Sequence, residues 1–445
     1  MNYEKEFRDP IHGFIQVSPI ELEIISSPIF QRLRNIKQLS LGNYVYHGAE
    51  HSRFGHMLGA MHLAGLAFDS LKRNSGRLNE TLDVDDSDRQ SLRIAALLHD
   101  VGHSPFSHSL ENLLNAKHEK YSTALVEHHF GPILEKAGLK IETIQNLILG
   151  DPYPDKPYLS HIVNGQLDVD RLDYLLRDSY FTGVSYGKYD LNRLIDQFVV
   201  VEKKFVILQG GYETVEQFIF ARYQMYQQVY FHKTKRSFEL MLWKAGNILK
   251  NLNNIEYPTI TDLETEKGQK QYVDCDDRWF LNQIYDEGNP EEVKILAKMI
   301  KSRMPYQETY SPLTFREKSD YVKSQPYDDT VGLDVIEKFL LKKLPKLNIQ
   351  DHEFLTDDLS RAPYNLMPNY GTTDEIDAEG DTILIFYKNR KVIEPIENRS
   401  NVVYTFGTYR PSMKRGFVIP EKYNIIKQTL KDNFDYPLPE RNSKL

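Results

Sequence analysis

Histidine is the residue type whose distribution stands out in this chain of 445 residues. Ten of the 14 histidines lie between His47 and His129, where random placement would put only about a fifth of them. Imidazole titrates near neutral pH and is a common metal ligand. The cluster therefore predicts metal chemistry, proton transfer or both.

The most informative short segment joins His99 and Asp100 to the end of an apolar run, 95–98. A carboxylate beside buried apolar residues is costly unless it is paired or binds a cation. A divalent metal ion would compensate this charge, and Asp and His ligands together suit Mn, Mg, Fe, Zn or Ni. The alternative is a His–Asp pair that only orients a histidine in the core.

Two more segments carry side chains of the same kind. Arg53 and His56 are three residues apart at the start of an amphipathic segment, 56–72, and would share one face of a helix. Further on, the helical spacing of 168–178 groups two carboxylates, a guanidinium and a phenol: Asp170, Arg171, Tyr174 and Asp178. A solvated face of salt bridges is the alternative interpretation of this second segment.

The elements that must position these groups are mostly helices. Helical periodicity covers most of the first 250 residues, including the long stretch 212–250, whereas 251–290 is polar and indicates loops and short helices. Later come three runs typical of strands, at 383–387, 402–406 and 416–419. The sequence therefore predicts a mainly α fold with a smaller mixed α/β C-terminal region.

Composition limits the possible function classes. The chain has 55 Lys and Arg against 63 Asp and Glu, a net charge of −8, and 40% hydrophobic residues, which excludes a disordered, collagen-like or membrane-bundle protein. The acidic balance argues against a nucleic-acid-binding protein. Cys275 is the single cysteine, so an internal disulfide or a cysteine zinc site cannot form. Since residues 1–6 contain no apolar run, we expect no signal peptide and a reduced, cytoplasmic location.

The order His56, His99-Asp100 and Asp170 resembles the metal-binding signature of the HD-domain phosphohydrolase superfamily. Four longer segments resemble one branch of it, the deoxynucleoside triphosphate (dNTP) triphosphohydrolases, at 9–13, 30–39, 99–108 and 168–171. That branch includes the vertebrate SAM-and-HD-domain enzyme and shorter bacterial relatives. The resemblance spans residues 7–235. Because only a few residues come before it, we expect no SAM domain, as in the bacterial type.

The resemblance implies an HD-type helical core in residues 1–250 and a C-terminal region, 251–445, that makes oligomer and effector contacts. It implies that a single divalent ion is bound by His56, His99, Asp100 and Asp170. Such an ion can polarise a phosphoryl oxygen, and an additional Mg ion accompanying the triphosphate is compatible with this assignment. The implied reaction is hydrolysis of a dNTP to a deoxynucleoside and inorganic triphosphate.

A catalytic set is also implied by the resemblance, and its members are His103, His108, His118 and Glu119. One histidine would assist attack at the α-phosphorus or protonate the leaving 5′-oxygen, because proton transfer needs groups that titrate near neutral pH. Glu119 would orient the neighbouring His118. The alternative for each histidine is a hydrogen-bonded structural role.

Nine residues resemble the family's substrate-binding residues: Gln38, Leu39, Arg53, Arg171, Tyr174, Asp178, Arg222, Tyr226 and Tyr230. By this resemblance the arginines hold the triphosphate, the glutamine and the aspartate bind the 3′-hydroxyl, and the leucine lines the base pocket. Tyr174 and Tyr230 form the wall that excludes ribose. Core packing is the alternative for Tyr226 and Tyr230.

The resemblance further implies an effector site and a homotetramer or dimer. The effector residues would be Lys5, Arg32, Arg34, Val45, Tyr46, His232 and Lys233. The effector would be dGTP or GTP, although Ser26 stands where the vertebrate enzyme has the acidic residue that contacts an effector guanine. Surface salt bridges are the alternative for Arg32 and Arg34.

Two other functions fit the same residues. A phosphodiesterase or 5′-nucleotidase would use the same metal site on a diester or monophosphate, without convergent arginines. A non-catalytic nucleotide sensor would bind metal without turnover. The four predicted metal-binding side chains together with three further histidines argue against the sensor.

Overall fold

The computed structural model of the protein describes residues 3–153, 155–311, 330–358, 382–408 and 414–434. The chain forms two compact units. The first comprises Met1–Gln227, Glu256–Leu281 and Pro363–Thr408, and the second comprises Gln228–Ile255, Asn282–Ala362 and Tyr409–Leu445. The domain boundary at residue 250 that the sequence analysis gives stays a prediction. Within the described ranges, no helix is both long and apolar enough to cross a membrane.

Helices dominate the described residues, which confirms the predicted mainly α fold. In chain order they are α1 (Pro19–Ser26), α2 (Pro28–Arg32), α3 (Arg53–Arg77), α4 (Asp86–Leu98), α5 (Glu111–Leu114), α6 (His118–His128), α7 (Gly131–Lys136), α8 (Ile141–Leu149), α9 (Ser160–Val163), α10 (Val169–Thr182), α11 (Leu191–Ile195), α12 (Tyr212–Met225), α13 (Lys233–Asn251), α14 (Glu266–Asp274), α15 (Asp277–Ile284), α16 (Glu291–Lys301), α17 (Thr330–Lys343), α18 (Asn401–Thr408) and α19 (Tyr423–Phe434).

Small sheets accompany the helices. Their strands are β1 (Lys5–Asp9), β2 (Gly13–Val17), β3 (Phe198–Val201), β4 (Lys204–Leu208), β5 (Gln307–Tyr310), β6 (Phe354–Asp358), β7 (Leu384–Tyr387), β8 (Val392–Pro395) and β9 (Lys414–Val418). β1 and β2 form an antiparallel hairpin, and the first unit also holds a sheet of order β3-β4-β7-β8. The second unit holds a sheet of order β5-β9-β6. β7 and β9 confirm two of the three predicted strand runs.

α3 is the long helix on which the first unit is built. Its apolar side chains recur with helical spacing, and Met57, Ala60 and Met61 are wholly buried. The helix packs against α4, α10 and β3. A Cβ at Gly59 would lie 1.8 Å from Asp173 Oδ1, so only glycine lets α10 approach this closely.

Aspartate side chains cap the N-termini of α4 and α10 and fix where these helices begin. Asp85 starts α4 by accepting hydrogen bonds from the backbone N–H groups of Ser87 and Asp88. Asp168 starts α10 by accepting a hydrogen bond from the backbone N–H of Arg171. α4 keeps its apolar run to its last turn, so the chain leaves this helix directly at the predicted metal ligands.

One prediction about secondary structure is wrong. The run 402–406 lies in α18 and not in a strand, and the Ser400 hydroxyl accepts a backbone N–H bond that caps this helix. A short apolar run does not by itself distinguish a strand from a helix. The helical stretch predicted over 212–250 is confirmed as α12 and α13, and a π-helical turn, Tyr226–Tyr230, follows α12 before His232 caps α13.

Candidate metal centre and active site

The four side chains predicted to bind a metal ion converge in the first unit. His56 lies near the start of α3, His99 and Asp100 directly follow α4, and Asp170 lies in the first turn of α10. One possible ligand atom from each side chain lies within 4.8 Å of the others. Asp170 Oδ1 is 3.1 Å from His56 Nε2 and 3.6 Å from His99 Nε2. Three helix ends that are far apart in the sequence therefore supply one cluster.

His56 and His99 each use one ring nitrogen for a hydrogen bond, and the other nitrogen faces the carboxylates of the cluster. His99 Nδ1 donates to the Ala96 carbonyl oxygen at 2.8 Å, and His56 Nδ1 lies 2.8 Å from Asp173 Oδ2. Among the described residues neither Nε2 has a hydrogen-bond partner, although both are buried. Imidazole lone pairs and carboxylate oxygens repel each other unless a cation lies between them. The donor set therefore fits a divalent metal ion.

The balance of charge in the cluster also favours a cation. Burial lowers the pKa of His56, but the neighbouring carboxylates Asp170 and Asp173 outweigh it and raise this pKa to about 10. Burial raises the pKa of Asp170, yet His56 and His99 hold it below its usual range. Proton and metal compete for the same nitrogen lone pair, so a metal ion can supply the positive charge in place of the proton.

Arg53 lies against the metal cluster. Its Nη1 donates to Asp100 Oδ2, and its Nε donates to the Ser107 hydroxyl at 2.7 Å. Burial raises the pKa of Asp100, but His103, His99 and Arg53 together hold it well below its usual range. The aspartate is therefore a carboxylate, and the guanidinium beside it is held by two partners.

The other two predicted triphosphate cations lie on α10 and α12. Arg171 pairs with Asp168, and Arg222 Nη1 lies 3.3 Å from an oxygen of the Gln166 amide. Arg171 also donates to the Gly165 carbonyl oxygen, next to the Gln166 that Arg222 contacts. The two arginines therefore contact adjacent residues of one loop in the first unit.

Two predicted tyrosines mark the ends of the π-helical turn. Tyr226 lies in the first unit, where the Arg222 guanidinium is 5.8 Å from the centroid of its ring. Tyr230 belongs to the second unit. Its predicted place beside the sugar therefore stays a prediction.

The two residues predicted to bind the 3′-hydroxyl both contact His51. Asp178 Oδ1 is 2.8 Å from His51 Nε2, and the backbone N–H of Gln38 donates to the His51 carbonyl oxygen at 3.1 Å. The imidazole stacks on Phe181 with ring centroids 4.6 Å apart. Leu39, the predicted base-pocket residue, follows Gln38 in the sequence and is buried. Sequence reasoning gave His51 no role, although it opens the segment that contains Arg53.

A second histidine cluster adjoins the first. His103, His108 and His118 each offer a nitrogen within 4.8 Å of the others, and the rings of His103 and His118 stack at 4.1 Å. Asp100 Oδ1 links the clusters, because it lies 3.3 Å from His103 Nε2 and 3.7 Å from His118 Nε2. The three predicted catalytic histidines are therefore assembled beside the metal cluster.

The carboxylate bonded to Nδ1 of both His118 and His108 is Glu111, and the orienting role of Glu119 stays a prediction. Glu111 Oε1 is 2.9 Å from His118 Nδ1, and its Oε2 is 3.0 Å from His108 Nδ1. Glu119 is half exposed, and its nearest oxygen is 3.5 Å from His118 Nε2. Burial lowers the pKa of His118, but Glu111 and Asp100 outweigh it and raise that pKa. Burial and Arg53 instead hold the pKa of His103 well below its usual range.

The structure contradicts the effector prediction for Arg32, and also its surface alternative. Only 2% of this residue is exposed. Its guanidinium donates to the carbonyl oxygens of His103 at 2.9 Å and Cys275 at 2.6 Å, and lies 4.1 Å from the Tyr272 ring centroid. Arg32 is therefore a core residue that supports the loop of the second histidine cluster.

The remaining effector predictions fall on several surfaces. Lys5 is exposed on β1, and Arg34 is exposed with its guanidinium 3.6 Å from the centroid of the Phe54 ring. Val45 and Tyr46 are half-buried in the first unit. His232 and Lys233 begin α13 in the second unit. Their roles as effector ligands stay predictions.

Comparison with known proteins gives the class of the chain. The HD domain model matches residues 53–178, and the HD associated region model matches residues 189–278. Uncharacterized protein YwfO of Bacillus subtilis is 38% identical over 260 residues, which cover 58% of this chain and 58% of YwfO. Deoxynucleoside triphosphate triphosphohydrolase SAMHD1 of Gallus gallus is 30% identical over 400 residues, which cover 79% of this chain and 63% of that protein. The chain thus spans less than two thirds of either relative.

A solved structure has the same fold over nearly the whole chain. The phosphohydrolase from Bacteroides thetaiotaomicron superposes with a TM-score of 0.70 at 26% identity, covering 93% of this chain and 98% of that chain. The matched HD segment begins at the start of α3 and ends within α10, so it contains the whole metal cluster. The chain belongs to the HD-domain family, which confirms the resemblance of its motifs.

Proposed function

We propose that the protein is a metal-dependent hydrolase that converts dNTPs to a deoxynucleoside and inorganic triphosphate. The observation that carries this proposal is the cluster of His56, His99, Asp100 and Asp170, with the second histidine cluster beside it. The similarity to SAMHD1 of Gallus gallus favours this substrate class. Arg171 and Arg222, which contact the adjacent residues Gly165 and Gln166, offer two further cations and support a polyphosphate over a monophosphate or a diester.

In this proposal, a bound divalent ion supplies positive charge to a phosphoryl oxygen. Arg53 adds a cation that Asp100 and Ser107 already hold in position, so little reorganisation is needed when a phosphate binds. Arg171 and Arg222 neutralise the outer phosphates. Water would add to the α-phosphorus and the bond from that phosphorus to the 5′-oxygen would break, so the deoxynucleoside leaves and the charge of the triphosphate product is shared among several fixed groups.

His118 is the side chain best placed to exchange a proton with a substrate. Glu111 fixes its Nδ1, and its side chain is 16% exposed, whereas that of His103 is completely buried. A donor must be oriented and must reach the substrate. Glu111 also orients the exposed His108, but His118 in addition places its Nε2 3.7 Å from Asp100 of the metal cluster. We assign it the donation of a proton to the leaving 5′-oxygen, while His103 and His108 pack against its ring.

Product analysis tests this function. The protein is incubated with each dNTP and NTP and Mn²⁺ or Mg²⁺, with and without dGTP or GTP, and the phosphate products are separated. Inorganic triphosphate together with free deoxynucleoside is the expected result. Orthophosphate or pyrophosphate, or cleavage of only a monophosphate or diester, would contradict it.

We also propose that a nucleotide effector and self-association regulate the enzyme, with the region 251–445 contributing to subunit contacts. The exposed positions of Lys5 and Arg34 support a surface site for an anion. Sedimentation velocity with and without dGTP tests this proposal. We expect a dimer or tetramer to form with nucleotide, and a protein that stays monomeric throughout would reject it.

A further inference from the structure

A buried polar network lies behind His56, on the side away from the metal cluster. Asp173 accepts four hydrogen bonds with its two oxygens. Its Oδ2 is 2.8 Å from both His56 Nδ1 and Arg177 Nε, and its Oδ1 is 2.8 Å from Arg177 Nη2 and 2.6 Å from His12 Nε2. At most 3% of the side chain of His12, Asp173 or Arg177 is exposed. A carboxylate has about four lone-pair sites, so this one is fully used.

This network determines which nitrogen of His56 carries the hydrogen atom. Asp173 forms a two-point ion pair with Arg177, because the guanidinium donates from Nε to one carboxylate oxygen and from Nη2 to the other. Asp173 is therefore an acceptor only, and His56 Nδ1 must donate to it. The lone pair of His56 is then on Nε2, which faces the metal cluster. A metal ligand of this kind depends on its hydrogen-bond partner for both tautomer and ring orientation.

The network extends to the turn between β1 and β2. Arg177 Nη1 donates to Asp9 Oδ2 at 2.8 Å. Asp9 Oδ1 accepts the backbone N–H bonds of Ile11 at 2.9 Å and His12 at 3.0 Å, which fixes the turn. His12 then returns to Asp173 through its ring. The hairpin turn is thus tied to the metal ligand by a closed circuit of buried hydrogen bonds.

Glycines in α3 make room for this circuit. A Cβ at Gly59 would clash with Asp173 and would lie 2.6 Å from Arg177 Nη2, and a Cβ at Gly55 would lie 3.3 Å from Arg177 Nη1. Glycine inside a helix costs roughly 0.5–1 kcal/mol relative to alanine. The helix that carries His56 therefore accepts weaker local propensity at the two points where the network approaches it.

We propose that Asp9, His12, Asp173 and Arg177 are positioning residues for the metal ligand His56, so that the β1–β2 turn is part of the metal centre. The inference rests on the proposed metal site. Its chemistry is the orientation of one imidazole by a carboxylate whose other lone pairs are filled by His12 and Arg177. It assigns a role to the segment 9–13, which the sequence marked only as a family motif.

Metal binding tests this role without relying on turnover. Asp173→Asn keeps the size of the side chain but replaces one acceptor with a donor, so it cannot satisfy the four donors around it. We expect Mn²⁺ to bind about 10–100-fold more weakly in calorimetry, the usual loss when an outer partner of a metal-ligating histidine is removed. The absorption bands of bound Co²⁺ should also shift, because the ligand field depends on the orientation of His56.

A matched variant separates positioning from general stability. Glu21→Gln disrupts the buried pair of Glu21 and Arg93, which is as enclosed as the network but is not bonded to a metal ligand. We expect this variant to lower the melting temperature and to leave Mn²⁺ affinity and the Co²⁺ spectrum unchanged. If Asp173→Asn behaves in the same way as Glu21→Gln, the network is structural and the inference is wrong.

A second variant keeps the test decisive if Asp173→Asn does not fold. His12→Ala removes one of the four donors and leaves the bond between Asp173 and His56. We expect His12→Ala to weaken Mn²⁺ binding by about 10-fold or less. We also expect it to shift the Co²⁺ bands less than Asp173→Asn does. Wild-type affinity and spectrum in His12→Ala would overturn the inference. A wild-type protein that binds Mn²⁺ but hydrolyses no dNTP would reject the proposed function. The role of the network would then still be decided by the Mn²⁺ affinities and Co²⁺ spectra of these variants.

Discussion

The two neighbouring histidine clusters differ in what surrounds their nitrogens. In the first cluster His56 and His99 each bond one nitrogen to an acceptor behind it and direct the other to the carboxylates. In the second cluster His118 and His108 share the single carboxylate of Glu111. The side chain of His108 is 61% exposed, whereas that of His56 is completely buried.

This difference indicates two kinds of chemistry within one site. Convergent lone pairs in a buried place are suited to a cation that stays bound. Imidazoles held from one side and open on the other are suited to protons that come and go. Asp100 contacts both groups, so the two functions meet at one carboxylate.

Removal of a ligand from the first cluster should have the largest effect. Asp170→Asn should lower dNTP hydrolysis by at least about 10²–10³-fold, since even one fixed electrostatic group is worth this much. Asp196→Asn is the matched control, because Asp196 forms an exposed pair with Arg73. Steady-state rates of both variants are compared. Equal activity of Asp170→Asn and Asp196→Asn would contradict a catalytic role for the first cluster.

Substitution in the second cluster should reduce turnover while metal binding persists. His118→Gln should lower the rate by about 10²-fold, the low end for a general acid or base, with the affinity for Mn²⁺ unchanged. Calorimetry and rate measurements on the same preparation provide the check. If Mn²⁺ affinity falls together with the rate, the second cluster also binds the metal.

The orienting carboxylate offers a sharper version of the same comparison. Glu111→Gln should lower the rate by about 10-fold, as loss of a partner that orients an imidazole commonly does. Glu119→Gln should leave the rate near that of the wild type, because Glu111 and not Glu119 is the carboxylate bonded to His118 Nδ1. A larger loss of rate in Glu119→Gln than in Glu111→Gln would support the orienting role predicted for Glu119.

A further expected effect is on thermal stability. Mn²⁺ at about 100 times its dissociation constant should stabilise the protein by about 2.7 kcal/mol, because it binds the folded state. Differential scanning calorimetry should show a higher melting temperature with Mn²⁺, and chelation should reverse it. Asp170→Asn should abolish this shift and His118→Gln should retain it. A shift that survives in Asp170→Asn would place the ion elsewhere.

The sequence was sufficient for features that depend on local pattern. The apolar stripe of α3 and the end of the apolar run before His99 predicted two of the helices that carry the metal cluster. The helices follow from helical periodicity, which can be read from neighbouring residues. Which of the side chains His56, His99, Asp100 and Asp170 would meet was implied only by the resemblance of their order to the HD signature.

Features that depend on tertiary contacts were missed. No spacing indicates that His12 lies beside Asp173, because the hairpin turn and α10 come together only in the folded unit. Arg32 lies in a polar segment that suggests a surface, yet it fills a space between the loop at His103 and the chain at Cys275. The contact of Glu111 with His118 likewise depends on how the short helix α5 is placed, and sequence adjacency pointed only to Glu119.

The central claim is that His56, His99, Asp100 and Asp170 bind one divalent ion, and metal content tests it most directly. Wild-type protein and Asp170→Asn are exposed to Mn²⁺, Fe²⁺ and Zn²⁺, dialysed and measured by inductively coupled plasma mass spectrometry. We predict close to one ion per chain in the wild type and a large loss in the variant. A wild-type protein that retains no ion, or a variant that retains as much as the wild type, would contradict the claim.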